Sequence, residues 1–213
     1  MADGARHGRR LAIETATDNC SVALFEGDRL IGHCHEAVGR GHAERLVPMI
    51  AALPDRGRAD LVSVDCGPGS FTGIRVGLAA ARALGLAWGV PVQGFSSLAL
   101  LAARAHHELG LAGEVAVAII GGHGEYFVQS FAGPCMDPIT DLASLPPAEA
   151  ALACGGRPLI GSGAAALAAA GATGAVHPLA TDARWAIAIS GPLANLPPVP
   201  VYGRAPDARP AAA

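Results

Sequence analysis

No lysine occurs in the 213 residues, so all fifteen basic side chains are arginine. Without lysine the chain can build neither a Schiff base nor a P-loop with its phosphate-binding lysine. Charge of either sign is scarce: 15 % of residues are charged and 51 % are hydrophobic, where globular chains carry about a quarter charged. That excludes disorder and predicts either a large buried fraction or a surface covered by a partner. The net charge of −3 provides no field to hold a polyanion, so unaided nucleic-acid binding is not expected. Cysteine is sparse and unpaired in pattern. Cys20, Cys34, Cys66, Cys135 and Cys154 are odd in number, widely spaced and without a Cys-x-x-Cys, which argues against a disulfide framework or a zinc ribbon and fits a reducing compartment. Long apolar runs are missing as well: "LAIETATDNCSVALF" is interrupted by Glu14, Asp18 and Asn19, and the polar start "MADGARHGRR" does not read as a signal peptide. The expectation is a cytoplasmic protein without membrane attachment. No Gly-x-Ser-x-Gly elbow is present to anchor a hydrolase reading.

What is there reads as two halves, each running from strands to helices. "LAIETAT", "CSVALFEG" and "LIGHCHEAV" predict a three-stranded meander with "GDR" as one tight turn. "GHAERLVPMIAAL" has helical spacing, with Pro48 expected to kink it or shift its start. "ADLVSVDC" is a buried strand, "SFTGIRVGLAAARALGLAWG" a long helix, "VPVQGF" a strand and "SSLALLAARAHHEL" a serine-capped helix. The second half offers strands in "GEVAVAII" and "GEYFVQSFA", a short helix in "SLPPAEAALA", and a strand running into an alanine-rich helix in "RPLIGSG" and "AAALAAAG". "TDARWAIAISGPLA" has an N-cap and helical spacing, and the proline-rich end "PPVPVYGRAPDARPAAA" predicts little order. The expected division is an arm at 1–10, lobes at 11–110 and 111–203, and a loose tail at 204–213.

The glycine-rich "DCGPGSFTGIRVG", between a strand and a helix, raises the question of phosphate binding. A P-loop reading fails because Ile74 and Arg75 follow Gly73 where lysine and a hydroxyl are required. A dinucleotide fingerprint fails on the spacing of Gly67, Gly69 and Gly73, and no acid follows until Glu108. What remains is a helix on which Gly73, Gly77 and Ala81 form one stripe, while Ile74, Val76, Leu78, Leu84 and Leu86 fill most of the other positions. A helix apolar nearly all round must be covered nearly all round. One face should pack on its own sheet and the other should meet a helix closely, from a partner or from the same chain. If the stripe meets a partner, Gly77→Leu should abolish pairing and spare the fold.

Three smaller clusters carry less. His33 and His35 share a strand face, but two ligands fall short of the three or four that zinc takes, and a solvated face is the plainer reading. His123 and Glu125 in "GGHGEYF" could form an acid–base pair, though a hairpin turn explains them. "LIGSG", with Gly161 and Gly163, is a strand–glycine–helix turn that could face a phosphate. No catalytic residue and no metal set emerge.

Four segments, "LAIETATDNCSVALFEG", "GRGHAERLVPMI", "GPGSFTGIRVGLAAARALG" and "PVQGFSSLALLA", resemble in order and spacing the TsaB (YeaZ) family. That family supplies the dimerisation subunit of the bacterial tRNA threonylcarbamoyladenosine machinery. The resemblance is close over residues 11–105 and thinner beyond, resting there on "GEYF" and "PVYGR". It implies an α/β, actin-like (ribonuclease H-like) fold of two lobes with mixed sheets. It also implies a non-catalytic role and no cofactor, with a TsaD-type transferase subunit and a TsaE-type ATPase subunit as partners. Self-association when alone is allowed, and strong direct tRNA binding is not expected. The pairing surface implied on this chain is His42, Arg45, Leu46, Met49, Ile50, Gly73, Ile74, Arg75, Gly77, Leu78 and Ala81. Two departures stand out. Glu14 replaces the aspartate of the family's Asp-Thr-Ala-Thr, and Ile120-Gly121-Gly122 replaces its Asp-Ala-Arg. The alternative is a nucleotide-binding ATPase of the same fold using Glu14 and the Gly161–Gly163 turn.

Overall fold

The computed structural model describes residues 8–133 and 135–203. Strands β1 (Arg9–Glu14), β2 (Asn19–Glu26) and β3 (Arg29–Ala37) form the antiparallel meander. Helix α1 (His42–Ala52) leads to β4 (Leu61–Asp65), which pairs parallel to β1. Helix α2 (Phe71–Trp88) crosses to β5 (Val92–Phe95), parallel to β4, and α3 (Ser97–Leu109) leaves the sheet. The second half repeats the plan. Strands β6 (Val115–Ile120), β7 (Tyr126–Ala132), β8 (Asp137–Pro138) and β9 (Ala143–Leu145) precede α4 (Pro147–Cys154), β10 (Leu159–Ile160), α5 (Ala164–Ala169) and β11 (Val176–His177). The orders β3-β2-β1-β4-β5 and β8-β7-β6-β10-β11 match strand for strand, with β9 added on β7. In each half the first strand pairs antiparallel to the second and parallel to the strand after the helix. This duplicated mixed-sheet topology is the actin-like fold.

Side-chain alternation builds the layers. From β1, Leu11 and Ile13 join α1 and α2 in an outer core, whereas Ala12 turns to the inner core between the sheets. From β6, Val115, Val117 and Ile119 enter that same inner core, and Ala116 and Ala118 pack outward on α4 and α5. Helix α3 lies in the middle layer, with Leu98, Leu100, Leu101 and Ala102 all buried. The first half of the helix, buried from Ser97 to Ala103, suits that position. Ser70 and Ser96 cap α2 and α3, accepting from the amides of Gly73 and Ala99. Gly89, left-handed at φ 68°, ends α2.

Several expectations shift. Helix α1 continues through Pro48, which lies on the exposed side, where the missing amide bond leaves a carbonyl that water can reach. β1 starts at Arg9, inside the span expected as an arm; 1–7 and the tail 204–213 lie outside the described residues. The helix expected in "TDARWAIAISGPLA" is two 3-10 turns, Ala183–Ala188 and Gly191–Ala194. Asp182 does cap the first, accepting from the Arg184 amide. The Ala183 amide, unpaired at any helix start, bonds Ser21 Oγ across the molecule, and Gly191 at φ 65° and Pro192 interrupt the chain beyond, so no long α-helix runs through the segment. The proline-rich segment is also tied down as far as Gly203. Leu196 exchanges backbone hydrogen bonds with Gly94, and the Val201 amide donates to the Cys66 carbonyl at 2.8 Å.

Candidate docking surface

The turn between β4 and α2 is closed by its own chain. Asp65 Oδ1 accepts from the Gly67 amide at 2.7 Å and from Ser97 Oγ at 2.6 Å. The amides of Ser70 and Ile74 are engaged by the carbonyls of Ala16 and Ser70. The glycine stripe of α2 lies against the end of β1. A Cβ on Gly73 would sit 2.0 Å from the Thr15 carbonyl oxygen, and one on Gly77 would sit 2.4 Å from Thr15 Oγ1. Thr15 Oγ1 in turn donates to the Gly73 carbonyl at 2.8 Å. The glycines therefore let α2 approach its own sheet, which accounts for them without a phosphate.

This placement corrects the pairing surface expected from the sequence. His42, Leu46, Met49, Ile50, Gly73, Ile74, Gly77, Leu78 and Ala81 are all buried inside the first half. His42 Nε2 donates to the carbonyls of Thr17 and Asn19, fastening α1 to the turn after β1. Of the expected set only Arg45 and Arg75 are exposed. Arg45 grips Glu36, with Nε 2.9 Å from Oε2. The accessible face of the same two helices is made of other residues. Val47 is 63 % exposed on α1 and Leu86 87 % on α2, and Ala43, Ala51, Thr72, Ala79, Ala83 and Ala87 are also exposed. Sequence periodicity missed them because a helix with apolar residues all round gives no phase; the bulky and glycine positions claimed the interface, and alanines filled the true outside. Exposed apolar residues on two packed helices of a chain poor in charge are a candidate surface for protein contact.

The ends of β1 and β4 are different. Glu14 and Asp65, neighbours at the ends of the paired strands β1 and β4, are fully buried. Burial foremost pushes both carboxyls up from the ordinary range, and their mutual repulsion adds to this at Glu14. Glu14 accepts from the Ala16 amide and Ser21 Oγ, while Asp65 Oδ2 has no hydrogen-bond partner. The alternative of a nucleotide site at Glu14 does not fit these residues: both acids are sealed in the core. The second weak candidate fares no better. A Cβ on Gly161 would lie 2.5 Å from the Ala118 carbonyl oxygen and one on Gly163 2.8 Å from the Tyr126 ring, so both glycines serve close packing on β6 and β7. Their amides donate to the carbonyls of His177 and Ala118. Among the described residues no three or more His, Cys, Asp or Glu side chains gather as a metal site.

His33 and His35 have a job that the sequence did not reveal. His33 Nε2 lies 2.9 Å from Asp182 Oδ1, and His35 Nε2 donates to the Thr181 carbonyl at 3.1 Å. Thr17 and Thr181 hydroxyls meet at 2.6 Å. The pair clasps the 181–184 segment of the second half onto the first sheet. His123 is the central residue of a 3-10 turn, Gly122–Gly124, in the β6–β7 hairpin, and Glu125, which follows that turn, accepts from Ser144 Oγ at 2.6 Å. Gly121 closes that hairpin through its amide to the Glu125 carbonyl. Among the described residues no helix is long and apolar enough to cross a membrane.

Comparison with known proteins agrees with this architecture. The family model described as "TsaD: tRNA N6-adenosine threonylcarbamoyltransferase" matches residues 32–172. The tRNA threonylcarbamoyladenosine biosynthesis protein TsaB of Escherichia coli is 36 % identical over 124 residues, 56 % of this chain and 53 % of that protein. The TsaB protein of Haemophilus influenzae is 39 % identical over 126 residues, 56 % of this chain and 52 % of that one. These matches span about half the length of the relatives. The solved structure of YeaZ from Pseudomonas aeruginosa is 30 % identical, with a TM-score of 0.77 over 91 % of this chain and 99 % of that one. A second Pseudomonas aeruginosa structure, of a protein described as similar to peptidase YEAZ, is 29 % identical with a TM-score of 0.79, over 92 % and 99 %. With the fold matched nearly end to end and the motifs matched in order, the chain belongs to the TsaB (YeaZ) family.

Proposed function

We propose that this protein is a non-catalytic docking subunit in tRNA threonylcarbamoyladenosine biosynthesis. It pairs through the outward face of α1 and α2 with a transferase subunit of the same fold, and an ATPase subunit joins that assembly. The observation that carries the reading is the exposed apolar strip formed by Val47, Ala79, Ala83 and Leu86. The family match to a transferase description supports a partner built on the same helix pair. The chemistry belongs to the partner in this reading. Two of the buried serines are committed elsewhere, Ser97 to Asp65 and Ser21 to Glu14, so neither of these is paired with a histidine as a peptidase nucleophile would be. Sedimentation velocity of the protein mixed with a TsaD-type subunit tests the reading. A discrete complex is expected, and Ala79→Asp should remove it without unfolding the chain. Failure of the unmodified protein to form any complex would overturn the proposal.

A further inference from the structure

Resting on that docking reading, we propose that Arg75 and Arg82 form the partner-selecting edge of the face, receiving carboxylates from a heterologous helix and turning away a second copy of this chain. Helix α2 contains no acidic residue, and its two arginines stand two turns apart on one flank. Both are held in place by the C-terminal segment. The Arg75 guanidinium lies 3.6 Å over the Phe71 ring, and its Nε and Nη2 donate to Tyr202 Oη at 3.1 and 2.9 Å. Arg82 Nη2 donates to the Pro198 carbonyl at 2.6 Å. A guanidinium has five N–H donors, so each keeps donors free of these contacts, and among the described residues neither arginine is in an ion pair. Two pre-organised, uncompensated cations beside an apolar strip are complementary to carboxylates.

Symmetry supplies the second half of the argument. Two copies packed antiparallel through α2, crossing near Ala79, bring each Arg75 beside the other copy's Arg82 on the same flank. Helix α1, with its single acid Glu44, runs along the opposite flank, where Val76 and Ala80 are half-buried. Four guanidinium groups then gather, and among the described residues neither Arg75 nor Arg82 has an acid paired with it. Repulsive elements of this kind set specificity as much as attractive ones do.

The test uses the full chain with Arg75→Glu and Arg82→Glu combined, its fold checked by thermal melting. Binding to the transferase-type subunit should weaken by at least about tenfold. An equimolar mixture of unmodified and charge-reversed chains should associate at least about tenfold more tightly than the unmodified chain does with itself. Transferase binding that is unchanged by the reversal, or a mixture that associates no better than the unmodified chain alone, overturns the proposal. Ala79→Asp separates the two ideas. If it abolishes pairing while charge reversal has no effect, only the selecting edge falls. If Ala79→Asp also leaves pairing intact, the docking face itself is wrong.

Discussion

In the first half α1 and α2 run for 11 and 18 residues over the outer face of their sheet; in the second half the corresponding α4 and α5 run for 8 and 6. The sheets below them differ in the same sense. Leu11, Ile13, Val22 and Leu24 support the first pair, whereas Ala116, Ala118 and Val128 lie under the second. Large side chains below allow long helices to bury one whole face and still leave a second face outside. Short helices over alanine supply little beyond cover, since pieces of this length have no stability apart from their packing. One topology thus serves as a platform in one half and as a lid on the core in the other.

The sharpest break of that comparison is at the helix starts. Gly73→Ala should destabilise the protein by about 3 kcal/mol or more, because the new methyl meets a backbone carbonyl at 2.0 Å that cannot rotate away. Gly163→Ala, in the turn before α5, meets the movable Tyr126 ring at 2.8 Å and should cost about 1 kcal/mol. Urea unfolding of the two variants compares them directly, and equal losses would remove the distinction between the halves. By the same contact, Gly77→Leu should unfold the first half instead of sparing it, reversing what the sequence predicted.

Next in size is pairing. Leu86→Arg on α2 should weaken association with the transferase-type subunit about 100-fold, as central contacts do. Leu152→Arg on α4, at a leucine 81 % exposed, should leave it unchanged. Both should alter stability by less than about 0.5 kcal/mol, as exposed sites do. Isothermal titration of each variant decides. A loss at Leu152 as large as at Leu86 would mean that the second half also docks.

These contrasts show what was readable in the chain. The order of strands, the meander and the three long helices followed from alternation and caps, because "CSVALFEG" and the serines before α2 and α3 state them locally. The outward face did not, since nothing in "GIRVGLAAARALG" distinguishes a glycine that meets Thr15 from an alanine that meets water. That distinction depends on the register of α2 over β1, a long-range fact. The clasp of His33 and His35 was hidden for the same reason: Thr181 and Asp182 lie 146 and 149 residues away in sequence. The short 3-10 turns defeated periodicity because helical spacing at Trp185 and Ile189 is equally compatible with a bent, pinned segment.

A pH series sets the acids of the first half against Asp182 of the second. Glu14 and Asp65 are raised by burial, so the native state binds more protons than the unfolded chain between the ordinary carboxylate range and neutrality. Their contribution is complete at low pH and is lost as pH rises through that window, on the order of 2 kcal/mol. Asp182 behaves oppositely. It is buried, yet hydrogen bonds from His33 and Arg184 more than offset that burial and hold its carboxyl well below the usual range. Its contribution is present above the ordinary carboxylate range and is lost as pH falls below it. Glu14→Gln should flatten the decline between pH 5 and 8 (about the window spanned by such shifts), and Asp182→Asn should soften only the acid limb. Chemical denaturation across pH reads both, and an unchanged slope in Glu14→Gln would place the titration elsewhere.

The smallest expected effect lies where the end of the second half returns to the platform. Tyr202 stacks on Phe71 at 5.5 Å between ring centroids and accepts two hydrogen bonds from Arg75. All three groups are solvent-exposed, so Tyr202→Ala should cost the fold less than about 1 kcal/mol, the usual range for an exposed cation–π cluster. Its effect on pairing should exceed its effect on stability, because the guanidinium loses the acceptor that orients it while keeping its charge. Tyr202→Phe divides the two contributions, since it retains the stacked ring and removes only the hydroxyl. If both variants pair with the transferase-type subunit as the unmodified chain does, Arg75 needs no orientation from the C-terminal segment, and the platform belongs to the first half alone.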